Sequence, residues 1–437
     1  MNSKLKTYLS HANPIVFSMV ATVAILCTYT CMYAFRKAFT VAQFEDQTVF
    51  GIDYKIVLIT SQVIGYTLSK FIGIKIVSEL KAKRRGRTIL LLIGISGLSL
   101  FFFAATPAPY NIFFMFLSGV PIGMINGIVY RYLEGRKVTD ILVMGLNLTM
   151  IISSGFIKTI GKMILQSGVT EYWMPFVTAA LFIPLLIFSV WMLEQFPAPS
   201  ATDIESRTKR KPMNGKERRA FLRKFTFGLF IFIIAYMLLT SLRDFRDNFS
   251  AEIWQELGYG DSANIFTRTE IPIGLSIILL VALIKWVKSN FKAFMTIHFV
   301  AIAGAFIIGG STLLFDNGMI SPYLWTVCIG LGLYVSYIPA NSLFFERLIA
   351  SFHYVSTASF MVTLADFYGY LGSLGVIFYK NFGSGEISYL DFFKVASYVV
   401  SILLIVLFLV SAIYFKRKWK RENADLSSDL NTYNLSE

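Results

Sequence analysis

Long apolar runs dominate this sequence and restrict it to folds that cross a membrane. Of its 437 residues, 55% are hydrophobic and only 15% are charged, and the mean hydropathy is +0.62. No water-soluble core could bury that much apolar surface. One crossing needs about 20 apolar residues, and runs of this length favour helices over barrel strands. The sequence predicts an all-α polytopic membrane protein with twelve spans, at about 14–35, 56–78, 88–106, 110–130, 141–165, 173–194, 225–246, 264–286, 292–314, 320–344, 354–379 and 391–415.

Positive charge is distributed unevenly between the loops. The net charge is +14, and clusters of Lys and Arg follow the even-numbered spans, whereas the other loops carry mostly Asp and Glu. Because cytoplasmic loops are enriched in Lys and Arg, this pattern places both termini in the cytoplasm and the protein in the inner (plasma) membrane. We attribute the positive excess to orientation and to contact with anionic membrane lipid, and expect no nucleic-acid partner.

One long hydrophilic stretch divides the twelve spans into six and six. Residues 195–223 are polar and basic and contain Pro and Ser, as expected for a cytoplasmic linker between two bundles. The sequence therefore predicts six-helix bundles at 1–194 and 224–416, followed by a polar cytoplasmic tail at 417–437.

The first and seventh spans show a weak repeat. They carry Tyr29, Tyr33 and Arg36 in one span, and Tyr236, Thr240 and Arg243 in the other. Both sets have the spacing i, i+4, i+7, which places each set on one helix face. A second register pairs "FRKAF" at 35–39 with "FRDNF" at 245–249 and makes Arg246 the counterpart instead. Chance similarity between aromatic-rich helices remains a third explanation.

Arginine inside a span indicates a partner or a water-filled cavity, because burying it costs at least ~2.5 kcal/mol. The planar guanidinium matches carboxylate or phosphate oxygens. We expect Arg36 and Arg243 to bind one anion from the two halves, with Tyr33 on the same face as Arg36. The alternative is that both arginines extend to the outer surface or pair with Asp46 and Asp247.

The second span adds a polar stripe to an otherwise apolar helix. Gln62, Tyr66 and Lys70 recur at i, i+4, i+8, and Lys70 lies too far from either end to reach the membrane surface easily. Such a stripe is typical of a helix that lines a cavity. The alternative is an internal ion pair with a structural role.

This plan resembles the major facilitator superfamily, whose two six-helix bundles place the substrate near mid-membrane. "GIKIVSELKAKRRGR" at 73–87 resembles the loop motif of that superfamily, with Glu79 where aspartate is usual. In that family the acidic group pairs with neighbouring helix ends as the bundles rock. The resemblance therefore implies that Glu79 belongs to the cytoplasmic gate.

Four further motifs resemble the organophosphate:phosphate antiporters, the branch that includes glycerol-3-phosphate and hexose-phosphate transporters. They are "YAFRKAF" at 33–39, "GYTLSKF" at 65–71, "TEIPIG" at 269–274 and "FYGYLGSLG" at 367–375. The resemblance implies that Arg36 and Lys70 contact a phosphoryl group together with Arg243, and that phosphate is exchanged. One departure is that three residues, not two, separate Tyr66 from Lys70.

Other polar residues in the spans depart from that family. The fifth span lacks its substrate-facing histidine and offers Asn147 and Lys158, while Asp366 adds an acid to the eleventh span. Lys158 and Asp366 either pair with each other or contact substrate. Glu270, in the eighth span, must be neutralised by a cation such as Arg243 or Lys70, or by a proton. In the second case substrate and proton move together, and Glu270 or Asp366 titrates during the cycle. We expect the three histidines to be surface or capping groups.

Taken together, these features predict a monomeric secondary transporter that moves a small organic anion, a phosphorylated metabolite, by alternating access in exchange for phosphate. A proton-coupled symporter of another anionic or amphipathic solute and a transport-derived receptor remain alternatives. A membrane-embedded transferase is a further one, with its nearest acid cluster at Glu252, Glu256 and Asp261. We expect no enzyme activity, no cofactor and no metal. The three cysteines all fall within predicted spans and do not suggest a zinc site.

Overall fold

A computed structural model describes residues 4–133, 139–197, 215–285, 287–352, 354, 359–383 and 387–434. These residues form sixteen α-helices and one hairpin, in which β1 (Thr48–Val49) pairs antiparallel with β2 (Ile52–Asp53). The helices are α1 (Lys4–His11), α2 (Pro14–Lys37), α3 (Tyr54–Glu79), α4 (Arg85–Ala105), α5 (Ile112–Leu133), α6 (Thr139–Gln166), α7 (Met174–Leu181), α8 (Ile183–Glu194), α9 (Gly215–Asn248), α10 (Ser250–Glu256), α11 (Ile265–Lys285), α12 (Asn290–Asp316), α13 (Pro322–Ser342), α14 (Phe344–Ser351), α15 (Ser359–Phe382) and α16 (Tyr389–Asn434).

The predicted all-α polytopic class is confirmed. A helix or a helix pair coincides with each of the twelve predicted spans, in chain order. Among the described residues, nine helices are long and apolar enough to cross a membrane, and one bent pair makes a tenth. Both α3 and α6, which fall on the two other spans, contain residues whose side chains lie outside the described part. The cytoplasmic placement of both termini stays a prediction.

Proline breaks the sixth span into two helices. The chain bends by 44° between α7 and α8, where Phe182 leaves the regular helical backbone at φ −91° and ψ −2°. Pro184 follows at the first turn of α8. A proline ring has no amide hydrogen and clashes with the preceding turn, which accounts for the interruption of the helix here.

Two helices are longer than their apolar cores. Helix α9 begins at Gly215, inside the stretch 195–223 predicted as linker, and kinks at Phe225. Helix α16 continues through the predicted tail as far as Asn434. These polar extensions pack together, since Lys224 pairs with Glu422 at 2.9 Å. Hydropathy alone could not locate their ends, because the contacts that stabilise them come from distant parts of the chain.

Two compact units make up the chain. The first comprises Met1–Thr208, Phe245–Gly274 and Ile377–Leu390, and the second comprises Lys209–Asp244, Leu275–Val376 and Asp391–Glu437. Within the first unit, α3 packs on α5, α4 on α5 and α2 on α6, while in the second α12 packs on α13. The predicted bundle boundaries at 1–194 and 224–416 stay a prediction.

Glycine allows α3 and α5 to approach closely. A Cβ atom at Gly119 would lie 2.3 Å from the Gln62 carbonyl oxygen, and one at Gly65 would lie 2.3 Å from the Phe116 carbonyl oxygen. Both distances are far below van der Waals contact, so no side chain fits at either position. This contact fixes the position of Gln62, and of the residues that follow it on α3, against α5.

We expect Gly119→Ala to destabilise the protein, because the added methyl group forces the two helices apart at a cost of about 1–3 kcal/mol. Thermal unfolding in detergent measures the effect. The control is Gly94→Ala on α4, where an added Cβ meets nothing within 4 Å; it adds the same helix propensity without the clash. Equal unfolding temperatures in the two variants would contradict the close packing of α3 on α5.

Candidate functional site

Two cations of the first unit share one tyrosine ring. The Arg36 guanidinium carbon lies 4.1 Å from the centre of the Tyr66 ring, and the Lys70 ammonium lies 5.1 Å from it. Arg36 occupies the last turn of α2, and Tyr66 and Lys70 are one turn apart on α3. Tyr66 is buried, and both cations are half-buried. An aromatic ring attracts cations through its electron-rich face, so Tyr66 holds the two cationic groups beside the same ring.

Further polar residues of the first unit surround this ring. Tyr33 is buried one turn before Arg36, and the Tyr29 hydroxyl donates to the Asn126 amide oxygen. Gln62 is buried and donates to Ser118 at 3.4 Å on α5. Sequence reasoning missed Asn126 as a site residue. The repeat spacing at Tyr29 gave a signal, but the partner on α5 becomes visible only once the helices pack.

Arg243 lies at the centre of a corresponding cluster in the second unit. Its guanidinium carbon is 4.0 Å from the centre of the Tyr337 ring, and its Nε and Nη2 donate to Asp244 at 3.2 and 2.7 Å. Nη1 is buried without a hydrogen bond of ordinary geometry to any described residue. Since Arg243 is only 8% exposed, this nitrogen is a buried donor available to a ligand oxygen.

A hydrogen-bonded chain connects this cluster to Asp366. The Tyr236 hydroxyl lies 2.7 Å from Asp366 Oδ1 and 2.9 Å from the Tyr337 hydroxyl. The Asn341 amide donates to the Tyr236 oxygen at 2.6 Å and to Asp366 at 3.3 Å. The acid, two hydroxyls and the guanidinium therefore form one continuous polar network across α15, α9 and α13.

Arg246 has a different environment from Arg243, although the two lie three residues apart. It belongs to the first unit and donates to Glu270 Oε1 at 2.8 Å. A Cβ atom at Gly155 on α6 would lie 2.7 Å from Glu270 Cγ, so a glycine there makes room for the acid. The cation that neutralises Glu270 is Arg246, which the sequence analysis had not named for this role.

Asp247 is bound by two lysines of the first unit. Lys37 and Lys158 each lie 2.5 Å from one of its carboxylate oxygens, and the Ser154 hydroxyl donates at 2.6 Å. The sequence analysis had considered Asp247 as a partner for Arg36 or Arg243, and Asp366 as a partner for Lys158. Lys37, inside the motif "YAFRKAF", was missed because helix rotation, not spacing, brings it to Asp247.

Two of the three acids considered for a transferase have structural partners. Lys55 is 1% exposed, and its ammonium pairs with Glu252. Burial raises the pKa of the Glu252 carboxyl, and the Lys55 ammonium opposes that shift. Glu256 accepts hydrogen bonds from the backbone amides of Tyr389 and Leu390 and so caps α16. An ion pair and a helix cap leave neither carboxylate placed as a general acid or base.

The histidines and Asn147 were also singled out in the sequence. His298 is fully buried rather than at the surface, with Nδ1 2.9 Å from the Phe294 carbonyl and Nε2 3.0 Å from the Ser411 hydroxyl. The expectation of a surface or capping histidine was therefore wrong for His298, whereas His353 lies outside the described residues. The side chain of Asn147 also lies outside the described part, so its role stays a prediction.

Glu79 is the last residue of α3 and is exposed. The end of α3 receives a hydrogen bond from Arg131, which donates to the Val77 carbonyl. A second acid lies in this region, because a Cβ at Gly86 would lie 2.3 Å from Glu194 Oε1. Glu194 therefore approaches the first turn of α4, where the helix dipole favours a negative charge. Sequence reasoning did not identify it.

Among the described residues, no group of three or more His, Cys, Asp or Glu side chains could hold a metal ion. Cys27, Cys31 and Cys328 are free thiols.

We expect Asp247→Asn to destabilise the protein by about 3–5 kcal/mol, because it leaves two buried ammonium groups without their counter-charge. Thermal unfolding in detergent measures the loss. The control is Asp391→Asn, whose carboxylate is 64% exposed in its pair with Lys394, so that its loss costs no more than about 1 kcal/mol. Similar losses in both variants would show that the Asp247 pairs contribute little.

Solved structures of transporters share this fold. A D-xylose-proton symporter aligns with a TM-score of 0.62 and 12% identity, over 92% of this chain and 97% of its own. The nucleoside transporter NupG aligns with a TM-score of 0.61 and 14% identity, over 95% of this chain and 100% of its own. A bacterial homologue of the human drug peptide transporters PepT1 and PepT2 aligns with a TM-score of 0.60 and 13% identity, over 92% of this chain and 99% of its own. At such identities the likeness establishes the fold, which is that of the major facilitator superfamily, as predicted.

No curated protein sequence matches this chain. The resemblance to organophosphate:phosphate antiporters therefore stays a prediction. One family model, described as Family of unknown function (DUF5690), matches residues 38–418. Because that match spans most of the sequence, the chain belongs to this family.

Proposed function

We propose that this protein is a secondary transporter that moves a small organic anion, a phosphorylated metabolite, by alternating access in exchange for phosphate. The observation that carries the proposal is the pair of cations on the Tyr66 ring. Arg36 and Lys70 both lie against the buried Tyr66 ring, on helices that coincide with predicted spans, and cations inside spans mark substrate pathways. An anion with several oxygens, such as a phosphate group, suits a guanidinium and an ammonium together.

Arg243 is the counterpart of Arg36 in this proposal. Both arginines lie over a tyrosine ring, at 4.1 Å for Arg36 and 4.0 Å for Arg243. Both follow, seven residues later, a tyrosine that is hydrogen-bonded to an asparagine. Arg246 instead pairs with Glu270. We therefore assign anion binding to Arg243 and a structural charge to Arg246.

The charges around Glu270 favour exchange over proton coupling through that residue. A carboxylate paired with Arg246 at 2.8 Å already has a counter-cation, so its charge does not require a proton for compensation. Lys158, paired with Asp247, belongs to the same fixed set of charges. Tyr33, Gln62 and Asn147 complete the proposed first-half site, and Glu79 is proposed to act at the cytoplasmic gate.

A proton-coupled symporter is the second candidate function, and the Asp366 network favours it. Asp366 accepts hydrogen bonds from the neutral donors Tyr236 and Asn341. Neutral partners of this kind are compatible with both the ionised and the protonated carboxyl group. A membrane-embedded transferase is disfavoured, because Glu252 and Glu256 act in an ion pair and a helix cap. A receptor would bind the anion without moving it.

We expect Arg36→Lys to weaken anion binding by roughly 1–3 kcal/mol, because lysine keeps the charge but loses the planar fork of donors. Lys70→Met should weaken it by a similar amount by removing the second cation. Ligand-induced thermal shifts over inorganic phosphate and a panel of phosphorylated metabolites measure the change. Arg347→Lys is the control, since that arginine bonds Asn290 at an exposed position. Wild-type affinity in both site variants would remove Arg36 and Lys70 from the site.

Counterflow in proteoliposomes distinguishes exchange, symport and binding without flux. We expect uptake of labelled phosphate to require a counter-anion inside the vesicle, with or without an imposed pH gradient. Glu79→Ala should slow this exchange while affinity is nearly retained, because a gate contact acts on the conformational step. Uptake that ignores the counter-anion and follows the pH gradient would establish symport instead, and binding without uptake would establish a receptor.

A further inference from the structure

We propose that Asp366, Tyr236 and Tyr337 form a proton-linked relay that couples protonation of Asp366 to anion binding at Arg243. The inference rests on the proposed function, because it assumes that Arg243 binds the transported anion. It goes further by naming the group that responds to the anion and the two hydroxyls that transmit the response. All members lie in the second unit, on α9, α13 and α15.

The contacts form an unbroken path. Asp366 Oδ1 is 2.7 Å from the Tyr236 hydroxyl, and that hydroxyl is 2.9 Å from the Tyr337 hydroxyl. The Tyr337 ring in turn lies 4.0 Å below the Arg243 guanidinium. Tyr236 is 1% exposed and Tyr337 is 7% exposed, so bulk water does not compete for these bonds. A ligand oxygen on Arg243 Nη1 would therefore lie beside the Tyr337 end of the path.

The number of protons fixes the direction of the bonds. Each tyrosine hydroxyl has one hydrogen to donate, whereas an ionised carboxylate only accepts. With Asp366 ionised, Tyr236 donates to Asp366 and Tyr337 donates to Tyr236, so that the Tyr337 oxygen presents only lone pairs towards Arg243. With Asp366 protonated, Asp366 donates to Tyr236, Tyr236 donates to Tyr337, and the Tyr337 hydrogen becomes available to an anion. Asn341 donates to the Tyr236 oxygen in either state.

The negative charge of the anion also favours protonation of Asp366. Among the described residues, Arg243 interacts electrostatically with Asp244 on its own helix, with Tyr334 from α13 and with Tyr370 from α15, in addition to Tyr337. Arg243 and Asp244 offset one another as an ion pair at 2.7 Å. An incoming anion then adds negative charge near Asp366 and favours its neutral, protonated form. The proton comes from water when the anion binds and returns to water when the anion leaves.

The test is anion binding to the purified full chain between about pH 5 and 8, with sulfate and inorganic phosphate as probes. Sulfate keeps a constant charge over this range. We expect wild-type affinity to rise as the pH falls, by up to about tenfold per pH unit for one linked proton. Binding in weakly buffered solution should also take up protons, as measured with a pH indicator dye.

Three variants isolate the relay. Asp366→Asn should abolish proton uptake and flatten the pH dependence for sulfate, whereas Asp366→Glu should retain both. Tyr236→Phe keeps the acid but removes the connecting hydroxyl, and should lose most of the pH dependence. Asp316→Asn is the matched control, since Asp316 also accepts from a tyrosine, Tyr398, at 2.8 Å in the same unit. It should behave as wild type.

The outcomes separate this proposal from the proposed function. A wild-type pH slope retained in Asp366→Asn or in Tyr236→Phe overturns the relay, as does anion binding to wild type without proton uptake. In those cases the proposed transport of an anion is untouched. If wild type binds none of the anions, both proposals fail.

Discussion

Buried charge must be compensated in place, and much of the polar interior of this protein follows from that requirement. A charge within the hydrocarbon region costs several kcal/mol unless a counter-charge or hydrogen bonds replace water. Asp247 meets the requirement with Lys37 and Lys158, and Glu270 meets it with Arg246. These pairs join α2 and α6 to the end of α9 and the start of α11. They stabilise the first unit.

Cations compensated by aromatic rings form the other class. Arg36 and Lys70 lie over Tyr66, and Arg243 lies over Tyr337 and pairs with Asp244, while its Nη1 has no hydrogen bond to a described residue. A ring lowers the cost of burying a cation but leaves its charge in place. In our proposal these guanidinium groups bind the anion. Arg243 and Arg246 lie three residues apart on one helix and each pairs with a carboxylate, but Arg243 lies in addition over the Tyr337 ring.

The fold does not identify the solute. Structures that share it include a D-xylose-proton symporter and the nucleoside transporter NupG, and a single fold supports many functions through the residues grafted onto it. The solute must therefore be argued from side chains. Here these are cations on tyrosine rings and a carboxylate in a hydroxyl network, which together favour a small anion and provide a group through which a proton could be linked.

Hydropathy and local spacing were enough to determine the spans, the all-α class and the positions of Arg36, Tyr66 and Lys70, because these depend on residues within one or two helical turns. The partners depended on tertiary structure. The rotation and depth of helices far apart in sequence decide which acid pairs with Lys158 and which cation pairs with Glu270. They also decide which groups form hydrogen bonds with His298 and Asn126. The different environments of Arg243 and Arg246 have the same origin. Three residues is almost one full helical turn, so spacing alone does not separate them. Packing gives Arg243 the partners Asp244 and Tyr337 and gives Arg246 the partner Glu270.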